Sequence, residues 1–174
     1  MVKRMSHWFV ISISIITAIA PSTGPVHAED VLFHVKTSLA KDDAQICVVP
    51  NAAMAALAEG DDVTLLFDAS AVTSITQGWG WLNWGTRTPM DNATAPERER
   101  KSIARQFDVP LNEVPTDYGA YLDFLKDRGV KMYINRTMLT LYKIDPGDVD
   151  PIVEPMDVRP MYRLMKQADH TMVY

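Results

Sequence analysis

From residue 31 onward the chain repeats one order: a short, wholly apolar run, then a longer stretch of mixed polarity. Residues 31–36 (VLFHVK) and 63–68 (VTLLFD) are apolar on both faces and rich in β-favouring side chains, the pattern of strands buried inside a parallel sheet. Between them, residues 41–60 predict a helix. Asp42 and Asp43 favour its start, Gly60 closes it, and Ala44, Ile46, Cys47, Met54, Ala55 and Leu57 supply its apolar faces. Pro50 falls inside this stretch, so either the helix bends there or its regular part begins near the proline. Residues 116–128 (TDYGAYLDFLKDR) read as a second helix with Tyr118, Tyr121, Leu122 and Leu125 on one face. Gly129 ends it and residues 130–134 (VKMYI) form the next strand. A short helix over 137–143 stops at Asp145-Pro146-Gly147. A weak strand around Ile152 and Val153, a helix over 160–168 and a final strand over 170–174 (HTMVY) complete the chain. Strand and helix in alternation predict an α/β domain with a mostly parallel sheet covered on both faces.

One segment breaks the order. Residues 70–96 show neither helical nor strand periodicity and carry Trp79, Trp81 and Trp84 among glycines, before a charged surface helix over 97–107. A loop of that length inside a small domain predicts a lid, a binding loop or an oligomer contact. The amino end differs again. Lys3 and Arg4 precede about thirteen mostly apolar residues (8–20), then helix-breaking Pro21 and Gly24, then Val26-His27-Ala28 with small residues at the −3 and −1 places. This predicts a cleaved signal peptide over 1–28 and a mature domain over 29–174 that is periplasmic or secreted. The apolar core is short of the ~18–20 residues that span a bilayer, so no membrane association is expected after cleavage.

Removing that segment leaves 15 basic against 22 acidic residues and moves the net charge from −5 to −7. An acidic domain without a basic run is a poor partner for nucleic acid, where phosphate neutralisation supplies most of the affinity. Cys47 is the single cysteine, so an internal disulfide is excluded and the apolar core alone must hold the domain.

Three segments together resemble the DsrE family of sulfur-relay domains, which includes the TusD-like proteins. Residues 33–72 (FHVKTSLAKDDAQICVVPNAAMAALAEGDDVTLLFDASAV) are similar to the family's opening strand, Asp-rich helix start, alanine-rich helix and second strand. Residues 122–139 (LDFLKDRGVKMYINRTML) resemble its helix, Gly-Val turn, third strand and functional turn, and residues 161–174 its closing helix and strand. The resemblance covers about two thirds of the mature chain and omits the tryptophan-rich stretch. It implies a flavodoxin-like three-layer α/β/α domain assembled into homo-oligomers. In catalytic members a cysteine at the end of the third strand carries a persulfide. Here that place falls at Asn135-Arg136, and neither side chain can replace a thiolate as sulfur nucleophile.

The candidate sites follow from these placements. Ligands of open parallel sheets bind beyond the carboxyl ends of the strands, where the first strand offers Thr37 and Ser38, the second Asp68 and Ser70, and the third Asn135 and Arg136. Asn135, Arg136 and Thr137 precede a new helix, so a guanidinium and free N–H groups there would suit a small anion. Trp79, Trp81 and Trp84 are candidates for ligand stacking or a subunit contact, against the alternative of packing on their own domain. Cys47 sits among Ile46, Val48 and Val49 with no adjacent cation, which favours an inert buried thiol over a displaced sulfur carrier. His34, inside an apolar strand, reads as a satisfied core histidine, and the scattered methionines as core with no metal or other cofactor implied. The expected function is an exported, non-catalytic domain that binds a small anion or a partner protein, with a link to sulfur-compound metabolism that only the family resemblance implies. The alternative is a sulfur-carrier or thiol-transfer protein using Cys47.

Overall fold

The computed structural model describes residues 28–79 and 85–174. The expected signal peptide, apart from Ala28, lies outside the described residues, as do Trp81 and Trp84. Five strands, β1 (Asp30–Val35), β2 (Asp62–Phe67), β3 (Lys131–Asn135), β4 (Glu154–Met156) and β5 (His170–Val173), form one sheet of order β4-β3-β2-β1-β5. Every pairing is parallel. The helices are α1 (Asp43–Glu59), α2 (Pro89–Asn92), α3 (Glu97–Gln106), α4 (Tyr118–Lys126), α5 (Arg136–Tyr142) and α6 (Val158–Gln167). The architecture is the three-layer, flavodoxin-like α/β/α arrangement expected from the alternation of elements.

Strand order decides the layers. The chain steps from β1 to β2, β3 and β4 in one direction, then crosses back over the whole sheet to place β5 beside β1. Right-handed crossovers put the connections of the forward steps on one face and that of the return step on the other. Accordingly α1 packs on β1, β2 and α4, while α6 faces the opposite side. Register separates the two faces. Phe33, Leu65 and Met132 are neighbours across β1, β2 and β3 and belong, with Val31, Val35, Val63, Phe67 and Ile134, to the main buried cluster under α1 and α4. Leu32, Thr64, Leu66 and Asn135 are buried facing the other way.

Local chemistry accounts for the element ends. The Asp42 carboxylate accepts from the Gln45 N–H at the start of α1, and Gly60 closes the helix at φ +94°. Helix α1 runs through Pro50, which is buried. The proline lacks the N–H that would bond the Ile46 carbonyl, yet the helix is already regular from Asp43, so its regular part does not begin at the proline. Asp117 caps α4 in the same manner.

Two expectations are corrected. The strand expected around Ile152 and Val153 lies a little later, at Glu154–Met156, where Pro155 is tolerated because β4 is an edge strand. The stretch 70–96 is not uniformly irregular. Ala69–Ile75 form a 3-10 helix whose residues 70–75 are all buried. Its hydroxyls are turned inward onto backbone: Ser70 Oγ donates to the Lys36 carbonyl, Thr73 Oγ1 to the Ser70 carbonyl, and Ser74 Oγ accepts from the Leu39 N–H. Polar letters read as loop are here a satisfied core segment. The short α2 follows, with a capping box between Thr88 and Asp91.

Candidate functional site

The carboxyl ends of β1, β2 and β3 meet around one carboxylate. Asp68, the residue after β2, receives His34 Nε2 at 2.8 Å and Asn135 Nδ2 at 2.8 Å, and its Oδ1 also accepts from the Ala69 N–H at 2.7 Å. An ionised carboxylate only accepts, so His34 Nε2 carries a hydrogen and Asn135 presents its amide nitrogen. The other end of that amide is used as well, Oδ1 accepting from the Thr137 N–H at 3.0 Å. The His34 hydrogen bond, followed by those from Asn135 and the Ala69 backbone, outweighs partial burial and brings the Asp68 carboxyl down to about 2. A carboxylate held this way is a weak base. The cluster ties the ends of three strands together.

The remaining edge residues are placed as follows. Ser38 is buried and its N–H donates to Ser70 Oγ, while Thr37 Oγ1 donates to Gln45 Oε1 at the start of α1. Arg136 is exposed; its Nε lies 3.2 Å from Asp157 and its Nη2 donates to the Pro155 carbonyl. Thr137 is exposed beside it. Among the candidates the structure therefore joins Asp68 to Asn135 directly and, through the Asn135 side-chain carbonyl, to the Thr137 backbone N–H, links Ser38 to Ser70, and ties Arg136 to the β4–α6 turn. Trp79 is exposed and meets Tyr142 of α5 edge-on at 6.4 Å. The partner of His34 was hidden in the sequence, since it required knowing that β1 and β2 are neighbours.

Cys47 lies elsewhere, in a cleft of about 660 Å³ between α1, α4 and the chain entering α3. Tyr118 donates to Glu99 Oε2 at 2.6 Å and Asn51 Nδ2 to Glu99 Oε1 at 2.8 Å. Burial pushes the Cys47 thiol up to about 11, opposed by a hydrogen bond with Tyr118 and reinforced by the Asp43 and Glu99 carboxylates. Burial and the bond to Glu99 likewise hold the Tyr118 phenol well above its ordinary value. Among the described residues no group of three or more His, Cys, Asp or Glu side chains is placed to hold a metal, and no helix is long and apolar enough to cross a membrane.

Sheet order and crossover pattern define the class: a flavodoxin-like three-layer α/β/α domain. The particular likeness is to the ychN protein of E. coli, whose crystal structure superposes with a TM-score of 0.55 over 84% of this chain and 99% of that one, at 13% sequence identity. That identity carries the fold and nothing finer. No family profile and no curated protein sequence matches the chain.

Proposed function

We propose that this protein is an exported, non-catalytic member of the DsrE-like fold group, a homo-oligomer that binds a small anion or a protein partner connected with sulfur compounds. The observation that carries the reading is Asn135. At the strand end where the resemblance places a persulfide cysteine, its carboxamide is fixed between Asp68 and the Thr137 N–H, and no thiol stands there. The single thiol of the chain, on α1, is held mostly protonated at neutral pH. The resemblance supplies the link to sulfur compounds, and the exposed Arg136 and Thr137 supply a polar surface for the ligand.

Incubation with a persulfide donor followed by intact-mass spectrometry tests it. The expected spectrum shows no added sulfur on Cys47. Alkylation of Cys47 near neutral pH is expected to be slower than that of an ordinary thiol by on the order of a hundredfold, following its smaller thiolate fraction. Stoichiometric persulfide on Cys47, passed on to an acceptor thiol, would instead make the protein a sulfur carrier.

A further inference from the structure

The return crossover lays α6 across one face of the sheet. No residue of this helix is buried, although Pro160, Met161, Leu164, Met165 and Ala168 form a helical stripe of partly buried side chains. Beneath it the sheet is apolar and fully desolvated at Leu32 and Leu66. Between helix and sheet runs a groove of about 420 Å³, within the ordinary range for small-molecule sites. Its apolar walls include Leu32 on the sheet, Met156 on β4, and Pro160 and Leu164 on α6.

Two cations line the same groove, Lys131 from β3 and Arg163 from α6. Neither forms an ion pair among the described residues, in a chain whose overall charge is negative. The one acidic side chain lining the groove, Asp30, starts β1. It is separated from Lys131 by the whole of β2, a lateral distance of about 10 Å at the usual strand spacing. The groove thus combines two cations, one on β3 and one on α6, with the apolar Leu32, Met156, Pro160 and Leu164.

We propose that this groove is a binding site for an amphipathic anion of medium chain length: a carboxylate or sulfonate head held between Lys131 and Arg163, its apolar tail lying under α6. Such a ligand supplies the charge that the two cations lack and covers the stripe that α6 leaves half open. The site lies on the sheet face, apart from the Asp68–Asn135 junction at the strand ends, and does not depend on the function proposed for that edge.

Octanoate is a suitable probe, titrated by calorimetry into the purified full chain, with octanol as the uncharged control. Octanoate is expected to bind saturably. The Lys131→Gln/Arg163→Gln double variant should weaken it by at least about tenfold, since both head-group contacts go, without altering octanol. Leu164→Trp, which fills the groove, should remove both ligands, and Arg136→Ala should leave octanoate unchanged. Absence of saturable octanoate binding, equal affinity in the double variant, or loss in Arg136→Ala alone would each overturn the assignment. All three groove positions are exposed or partly exposed, and matching far-ultraviolet spectra will show that the variants fold.

Discussion

Asp68 shows how much one side chain settles at the sheet edge. Three donors from β1, β3 and its own turn converge on it, so its ionised form is bound to the fold. Its carboxyl sits at about 2, below the ordinary 3.8. A depressed carboxylate contributes stability that is complete above the unfolded value and is lost as pH falls through the folded one, here from about pH 4 down to about pH 2. The shift corresponds to roughly 2 kcal/mol by linkage. Asp68→Asn should therefore lower the urea midpoint at neutral pH and flatten its decline over that acid window. An unchanged acid limb would show that other carboxylates govern it. Arg136 is the opposite case, an exposed guanidinium whose pairing with exposed Asp157 is worth little in water. If this turn takes an anion, that anion competes with Asp157. Sulfate binding measured by calorimetry should then be lost in Arg136→Ala and strengthened in Asp157→Asn. Equal binding by all three proteins would leave Arg136 as a strut to the β4–α6 turn.

Between elements, α2 packs closely on α4. Gly119 is buried in α4, and a Cβ built there would stand 2.9 Å from the Asp91 Cα. Alanine in a helix interior ordinarily gains about 1 kcal/mol over glycine. Here the backbone of α2 must move, and overpacking of this kind costs ~1–3 kcal/mol. The clash should win, so Gly119→Ala is expected to lower the unfolding midpoint, whereas a partly exposed helix-end change such as Lys126→Ala should move it much less. The sequence made β1, β2, β3, β5, α1, α3 and α4 legible because their patterns are local. It concealed the 3-10 helix at Ala69–Ile75, since inward-turned Ser and Thr hydroxyls have the same letters as a loop. It also concealed the His34–Asp68 bond and the position of α6, which depend on strand order, a property of the whole sheet. Asp68 and Asn135 could be picked out because both end strands; what they bind could not.

At the scale of the molecule, the last two elements carry exposed apolar side chains. Every residue of β5 is exposed, with Met172 at 42% and Val173 at 62%, and α6 presents Val158 at 52% and Tyr162 at 66%. Single exposed apolar residues are common, but here an edge strand carries them. Natural edges are usually protected by lysine, proline or a bulge. The strand β5 has the sequence HTMV and none of these. Its outer row of backbone donors and acceptors faces away from β1, its neighbour in the sheet. Burial by another copy would satisfy that row and remove the apolar area from water at roughly 25 cal/mol per Å². The protein is therefore expected to sediment as an oligomer at micromolar concentration, in line with the assembly that the DsrE resemblance implies. Tyr162→Glu with Val173→Lys should yield a monomer with an unchanged far-ultraviolet spectrum, because neither side chain packs inside the subunit. A wild-type protein that sediments as a monomer would show instead that β5 stays exposed, and the self-association proposal would fall with it.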